Sequence, residues 1–131
     1  MSRGESYPDD LRYNRDHDWA RLAGDEAVLG ITWHAQDALG EVVHYEPPTV
    51  GGRVVAGESY GEVESVKAVS DLIAPLSGVV LAVNSEVMNA PETINADPYG
   101  AGWLIRIALS DPAEVGSLLD AAAYRSFLAE Q

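Results

Sequence analysis

Glu62-Val63-Glu64-Ser65-Val66-Lys67-Ala68-Val69-Ser70-Asp71 is the stretch around which the chain is organised. Lys67 is the only lysine in 131 residues, and every other basic side chain apart from the histidines is an arginine. Short β-type runs flank it: Glu58 to Glu64 before it and Ala68 to Ala74 after it. Pro75-Leu76-Ser77-Gly78 then signals a turn, and Val79-Val80-Leu81-Ala82-Val83 resumes the β pattern. This spacing predicts Lys67 at the tip of a hairpin, where an amine has the freedom and access that a modifying enzyme needs. The plain alternative is an ordinary exposed lysine on a turn.

Outward from the hairpin, residues 11 to 31 read as short strands. Trp19 to Leu22 and Ala27 to Ile31 are joined by a turn at Gly24-Asp25. Thr32 is placed to cap a short helix through Leu39, with Gly40 as its stop and Ala35 and Leu39 on one buried face. Glu41 to Glu46 alternates like a strand and ends at Pro47-Pro48. Met88 to Gly102, with two prolines and two glycines, reads as a long loop. Trp103, Ile105, Ile107 and Leu109 then alternate as the core face of a strand. Asp111-Pro112-Ala113-Glu114 carries a capping-box pattern for a helix limited by Gly116. Asp120 is placed to cap a second helix, with Leu119, Ala123 and Phe127 recurring on one face. The expected fold is therefore mostly β, a flattened barrel or sandwich of hairpins with a short internal helix and C-terminal helices. The expected organisation is a single domain over residues 1–131, with residues 1–10 a flexible N-terminal arm.

Composition narrows the function. The net charge of −13 disfavours nucleic acid and anionic membranes as partners and favours basic protein surfaces or cationic groups. With no cysteine, disulfides, thiolate metal sites and thiol catalysis are excluded together, so any disulfide chemistry needs sulfur from a cofactor. No apolar run reaches spanning length and the first ten residues lack signal- or transit-peptide character. The expected location is the cytoplasm of a prokaryote, with a mature mitochondrial-matrix protein as the alternative.

Other chemistries find less support. His17, His34 and His44 lie at spacings that match no metal-site pattern, and no metal is expected. No glycine-rich phosphate loop leads from a strand into a helix, and no local motif supports a Ser-His-Asp triad. A Schiff-base lysine needs burial or a cationic neighbour, whereas Lys67 has Glu62, Glu64 and Asp71 around it.

The hairpin sequence Glu64-Ser65-Val66-Lys67-Ala68 followed by Ser70-Asp71, then Ala74-Pro75-x-Ser77-Gly78-x-Val80, resembles the lipoyl-attachment region of the glycine cleavage system H-protein family. The likeness runs through nearly the whole chain. Tyr13-x-x-x-His17-Asp18-Trp19, Gly30-Ile31-Thr32 with Ala35-Gln36 and Leu39-Gly40, Asn95-x-Asp97-Pro98-Tyr99-Gly100, Gly102 to Ile105, and Leu118 to Tyr124 follow the family's order. Two positions depart: Asp18 stands where glutamate is usual, and Trp33 where aspartate is usual. Biotin carriers, the nearest competitors, flank their lysine with methionines; here the neighbours are Val66 and Ala68.

The resemblance implies a barrel-sandwich hybrid, similar to lipoyl domains, and a carrier rather than an enzyme. It implies lipoate in amide linkage to Lys67. Implied partners are a pyridoxal-phosphate glycine decarboxylase, an aminomethyltransferase, a flavin-dependent dihydrolipoyl dehydrogenase and a lipoate-attaching enzyme, with the carrier itself a monomer. Glu64 and Asp71, flanking the lysine, are expected to guide the attaching enzyme. Asp16, Asp18 and Asp71 are expected to hold the amine of the loaded arm in a cleft. The alternatives are an unmodified binding or regulatory protein of the same fold, a lipoyl carrier for another pathway, and a small enzyme using Lys67 as nucleophile.

Overall fold

Alternating apolar positions and tight turns fold the chain into two antiparallel sheets in the computed structural model, which describes residues 4–131. The larger sheet has the order β1 (Arg12–Tyr13), β2 (Asp18–Ala23), β3 (Glu26–Ile31), β9 (Ile105–Leu109), β8 (Gly78–Val83), β5 (Arg53–Val54). The smaller contains β4 (Val42–Glu46), β6 (Ser59–Ser65) and β7 (Val69–Ile73), in that order. Ala27, Leu29, Ile105 and Ile107 from the first sheet and Tyr45, Val63 and Leu72 from the second share one buried core. Burying such side chains stabilises by about 1.5–3 kcal/mol each for the larger aliphatics. This is the mostly-β architecture with a short internal helix that the strand pattern predicts.

The internal helix α1 (Trp33–Leu39) starts where expected, because Thr32 Oγ1 accepts from Ala35 N at 3.3 Å. Gly40 ends it at φ 79°, a backbone conformation that side chains disfavour. At the other end, Asp120 caps α4 (Ala121–Ala129) through a 2.8 Å bond from Ala123 N.

A second, aromatic core ties the termini together. Tyr13 stacks on Tyr124 with ring centroids 4.6 Å apart, and Tyr7, Leu11, Trp19 and Ala121 are buried beside them. Trp33 packs against this cluster, which accounts for a large ring at the start of α1. Trp19 lies over Gly30 so closely that a Cβ there would come within 2.5 Å of the indole.

Several expectations need correction. The segment 88–102 is not one loop: α2 (Ser85–Asn89) and α3 (Thr93–Ala96) occupy part of it, short enough to be hidden by its prolines. Residues 5–8 are docked rather than free, since Tyr7 is buried against Tyr124 and its carbonyl accepts from Arg125 Nη1 at 3.0 Å; residues 1–3 of that arm lie outside the described residues. The helix after Asp111 is a 3-10 helix, Pro112–Ser117, and Glu114 does not close a capping box. Its carboxylate accepts instead from Ser77 N at 2.7 Å and Ser77 Oγ at 2.8 Å, charge-assisted bonds to donors that tertiary packing delivers. Leu104 is fully buried whereas Trp103 is only half-buried and packs against the aromatic cluster, because β9 begins at Ile105 and strand alternation does not reach 103 and 104. Finally, α4 buries Ala121 and Tyr124 while Ala123 is exposed. The stacking of Tyr124 on Tyr13 sets that face.

Candidate functional site

The β6–β7 hairpin turns through Val66, Lys67 and Ala68, and all three are exposed. Its tip is not left to itself. Ser65 N donates to Ala68 O at 2.8 Å, closing the ladder. The Ser65 hydroxyl, almost fully buried, accepts from Ala68 N at 3.1 Å and Lys67 N at 3.3 Å. A small side chain with a hydroxyl satisfies the turn's own backbone groups, as such residues do in tight turns. Val66 N donates to Glu41 O at 3.1 Å, fastening the tip to the joint between α1 and β4. The stem of Lys67 passes over Gly40, where a Cβ would touch Cε at 3.4 Å.

Beside the tip, between α1 and the edge strand β7, runs a cleft of about 390 Å³. Asp16, Asp18, Asp71, His17 and His34 line it, together with Ala68 from the tip. The structure therefore brings the three predicted aspartates to one cleft adjoining Lys67. Their situations differ. Asp16 is exposed, and Asp71 is exposed at the rim, opposite Glu62 in the β6–β7 ladder. Glu64 lies on that same outer face, opposite Val69, and does not line the cleft. Asp18 is 2% exposed.

The turn before β2 explains how Asp18 comes to be buried. Asn14 Oδ1 accepts from Asp16 N at 3.0 Å and Asp18 N at 2.9 Å. This double bond holds His17 at φ 73°, the left-handed region that costs a histidine more than a glycine. Asn14 Nδ2 donates to Asp18 Oδ2 at 3.3 Å and to Ile73 O at 3.2 Å, tying the turn to β7. His17 Nδ1 bonds the Tyr124 hydroxyl at 2.8 Å, which in turn bonds Thr32 Oγ1 at 2.9 Å. The His17 and His34 rings lie 4.4 Å apart. Burial lowers the His17 pKa, and His34 pushes it the same way.

Burial raises the Asp18 pKa well above the ordinary carboxylate range; the hydrogen bond from Asn14 opposes this, the charge of Asp16 adds to it, and the Ile73 backbone opposes it. Burial raises the pKa of the Tyr60 hydroxyl, which has no hydrogen-bond partner among the described residues, and the Asp18 charge pushes it the same way. No group of three or more His, Cys, Asp or Glu among the described residues has metal-site geometry. No helix among them is long and apolar enough to cross a membrane.

Sequence reasoning gave no role to Ser65 or Asn95, which entered only as members of motif blocks, and did not include Asn14. Ser65 had a local signal, a serine two residues before a turn lysine. Asn14 had one too, an asparagine opening a four-residue turn. The partners of Asn95 had none, because they lie more than fifty residues away in sequence.

A family model described as glycine cleavage H-protein matches residues 11–131. The chain is 56% identical over 124 residues to the glycine cleavage system H protein of Anaeromyxobacter sp. (strain K), covering 95% of this chain and 97% of that protein. It is 50% identical over 124 residues to that of Myxococcus xanthus (strain DK1622), covering 95% and 96%. The crystal structure of a glycine cleavage system H protein from Mycobacterium marinum superposes with a TM-score of 0.87 at 45% identity, covering 93% of this chain and 98% of that one. This likeness agrees with the barrel-sandwich arrangement of lipoyl domains.

The burial of Asp18 has a measurable consequence. An acid whose pKa is raised on folding binds more protons folded than unfolded between its two values. Its contribution to stability is therefore greatest at low pH and falls as pH rises from the ordinary aspartate value, about 3.9, through the raised one. Asp18→Asn removes that slope. Urea midpoints measured across this range are expected to show the variant gaining on wild type as pH rises. A gap independent of pH would show that Asp18 titrates normally.

Proposed function

Because the chain belongs to the glycine cleavage H-protein family, a family of lipoate carriers, we propose that it bears lipoate in amide linkage on Lys67 and shuttles it among the enzymes of glycine cleavage. The observation that supports this most directly is the placement of the single lysine at a hydrogen-bonded hairpin tip with an acid-lined cleft alongside. The site fits the group. The amine stands on an exposed turn, its stem rests on a glycine, and the neighbouring cleft has apolar walls from Ile31, Leu39, Val63 and Leu72.

The lipoyl ring, when attached, supplies a disulfide able to take up an aminomethyl group and two electrons. The chain's own residues supply attachment, direction and shelter. The uncharged amine of Lys67 attacks the carbonyl carbon of an activated lipoyl donor; the activating group leaves with the bonding electron pair, and the proton lost from Nζ passes to solvent. The amide removes the only lysine charge, making the carrier more acidic for docking at basic active-site mouths. Glu64 and Asp71, on the outer face below the tip, guide the attaching enzyme in this reading. Asp16, Asp18 and Asp71, which line one cleft, hold the protonated amine of a loaded arm in this reading, and its nitrogen lone pair is then unavailable to expel the sulfur. A cation entering the cleft supplies the partner that buried Asp18 needs to ionise. The partners in this reading are the pyridoxal-phosphate decarboxylase, the aminomethyltransferase, dihydrolipoyl dehydrogenase and the lipoate-attaching enzyme. Tethering replaces diffusion of an unstable intermediate by a high local concentration.

Intact mass after expression with lipoate is expected to show one lipoyl group on the wild type and none on Lys67→Arg. A lipoylated arginine variant would disprove the attachment site. In the same assay followed over time, the double variant Glu64→Gln/Asp71→Asn is expected to be modified more slowly while its unfolding midpoint falls no lower than that of wild type; an unaltered rate removes both residues from recognition. Asp18→Asn, loaded with glycine-derived carbon and freed of the decarboxylase, is expected to release formaldehyde faster than wild type. Equal release would take Asp18 out of the sheltering role.

A further inference from the structure

Three segments far apart in sequence meet beneath the hairpin tip, and one side chain ties them. Asn95, on α3, uses both N–H groups and the oxygen of its amide. Oδ1 accepts from Val42 N at 2.9 Å, and Nδ2 donates to Gly40 O at 2.8 Å and to Gln36 Oε1 at 3.1 Å. Gly40 O and Val42 N flank Glu41. Between these two held groups, Glu41 O accepts from Val66 N at 3.1 Å. Val66 is the residue before Lys67, and the lysine stem lies on Gly40, the very residue whose carbonyl Asn95 holds.

The chain of contacts therefore runs from Asn95 through the Gly40–Val42 segment to both the backbone and the stem of the tip. Ser65 shapes the turn from within, and its pairing with Val42 in the β4–β6 ladder brings the segment held by Asn95 to the base of the tip. The joint at Gly40 is a weak place to leave unsupported, because it follows a helix end and sits at positive φ. Gln36, one turn back in α1, is buried and gives its oxygen to Asn95 and its nitrogen to Trp33 O, so the bracket also fixes the end of the helix.

From this geometry we infer that Asn95 is a positioning residue for modification of Lys67: by clamping Gly40 and Val42 it turns Glu41 O toward Val66 N and sets the direction in which the lysine leaves the surface. The inference rests on the reading of Lys67 as the lipoate-bearing residue. It adds that the attaching enzyme recognises a tip whose orientation is set by a residue on another element.

The test uses the full chain as Asn95→Ala and Asn95→Asp. The second is isosteric: it keeps an acceptor for Val42 N and loses both donors. Glu92→Gln, an exposed change at the start of the same helix, is the control. Two readouts are taken. Amide-proton exchange on the unmodified protein is expected to quicken about tenfold at Val66 in both Asn95 variants, with Ile107 in the core unchanged. Lipoylation by a lipoate-attaching enzyme is expected to lose about tenfold in kcat with little change in KM, because a misdirected amine is bound but rarely aligned. A residue that served stability alone would instead speed exchange at Val66 and Ile107 together. Unchanged exchange at Val66, or normal kcat with a loosened tip, overturns the proposal. If the wild type itself takes up no lipoyl group, the reading of Lys67 fails, and the Val66 exchange still decides whether Asn95 orients the tip.

Discussion

A hairpin tip has no neighbours beyond it, so its backbone groups must find partners backward, within the turn or in the body of the protein. Here both routes are used. The buried hydroxyl of Ser65 takes the amides of Lys67 and Ala68, and Glu41 O takes that of Val66. Each such bond contributes only about 0.5–1.5 kcal/mol, yet leaving a donor unpaired in a partly buried turn costs as much or more. The value of the arrangement lies in direction rather than stability. A tethered arm works by effective concentration, and a defined exit from the surface is worth more to it than a freely moving base.

Everything beneath the tip serves to hold the two anchoring elements at a fixed separation. The main core packs β6 and β7 against the larger sheet, and the aromatic core holds α4 and the His17 turn against β1 and β2. The cleft runs along the line between these two bodies, bordered by Ile31, Leu39 and Val63 of one and by the His17 turn of the other. The His17–Tyr124–Thr32 chain links the second body to the start of α1. A histidine at positive φ persists because Asn14 and Tyr124 determine its place from both sides.

The acidity of the chain is organised by this frame. On the outer face of the small sheet, Glu46, Glu62 and Asp71 lie directly opposite one another across three strands. Like charges so placed oppose strand pairing by a few tenths of a kcal/mol each, an effect that exposure and salt reduce. Asp18 is the opposite case: it is withdrawn from water, and the balance between burial and the bond from Asn14 decides its charge. The same side-chain type therefore serves as a fixed surface charge at one place and as an ionisable group sensitive to its neighbour at another.

The sequence by itself determined what depends on neighbours within about four residues. Short β-type runs from Glu58 to Glu64 and from Ala68 to Ala74 placed Lys67 between two strands, at a hairpin tip, without any long-range information, and the strands Ser59–Ser65 and Val69–Ile73 agree. Thr32 and Asp120 capped their helices as their local patterns required. Tertiary structure decided the partners of polar side chains that have a choice. Glu114 had a local use as a cap and took Ser77 instead, and Asn95 looked like part of a loop and became a bracket for Gly40 and Val42. The burial of Asp18, the face chosen by α4 and the docking of Tyr7 belong to the same class. The physical reason is the same in each. Strand alternation, turns and caps are set by steric and hydrogen-bond limits of adjoining residues, whereas a flexible polar side chain or an ambiguous helix face takes whichever donor, acceptor or ring the assembled core brings within reach.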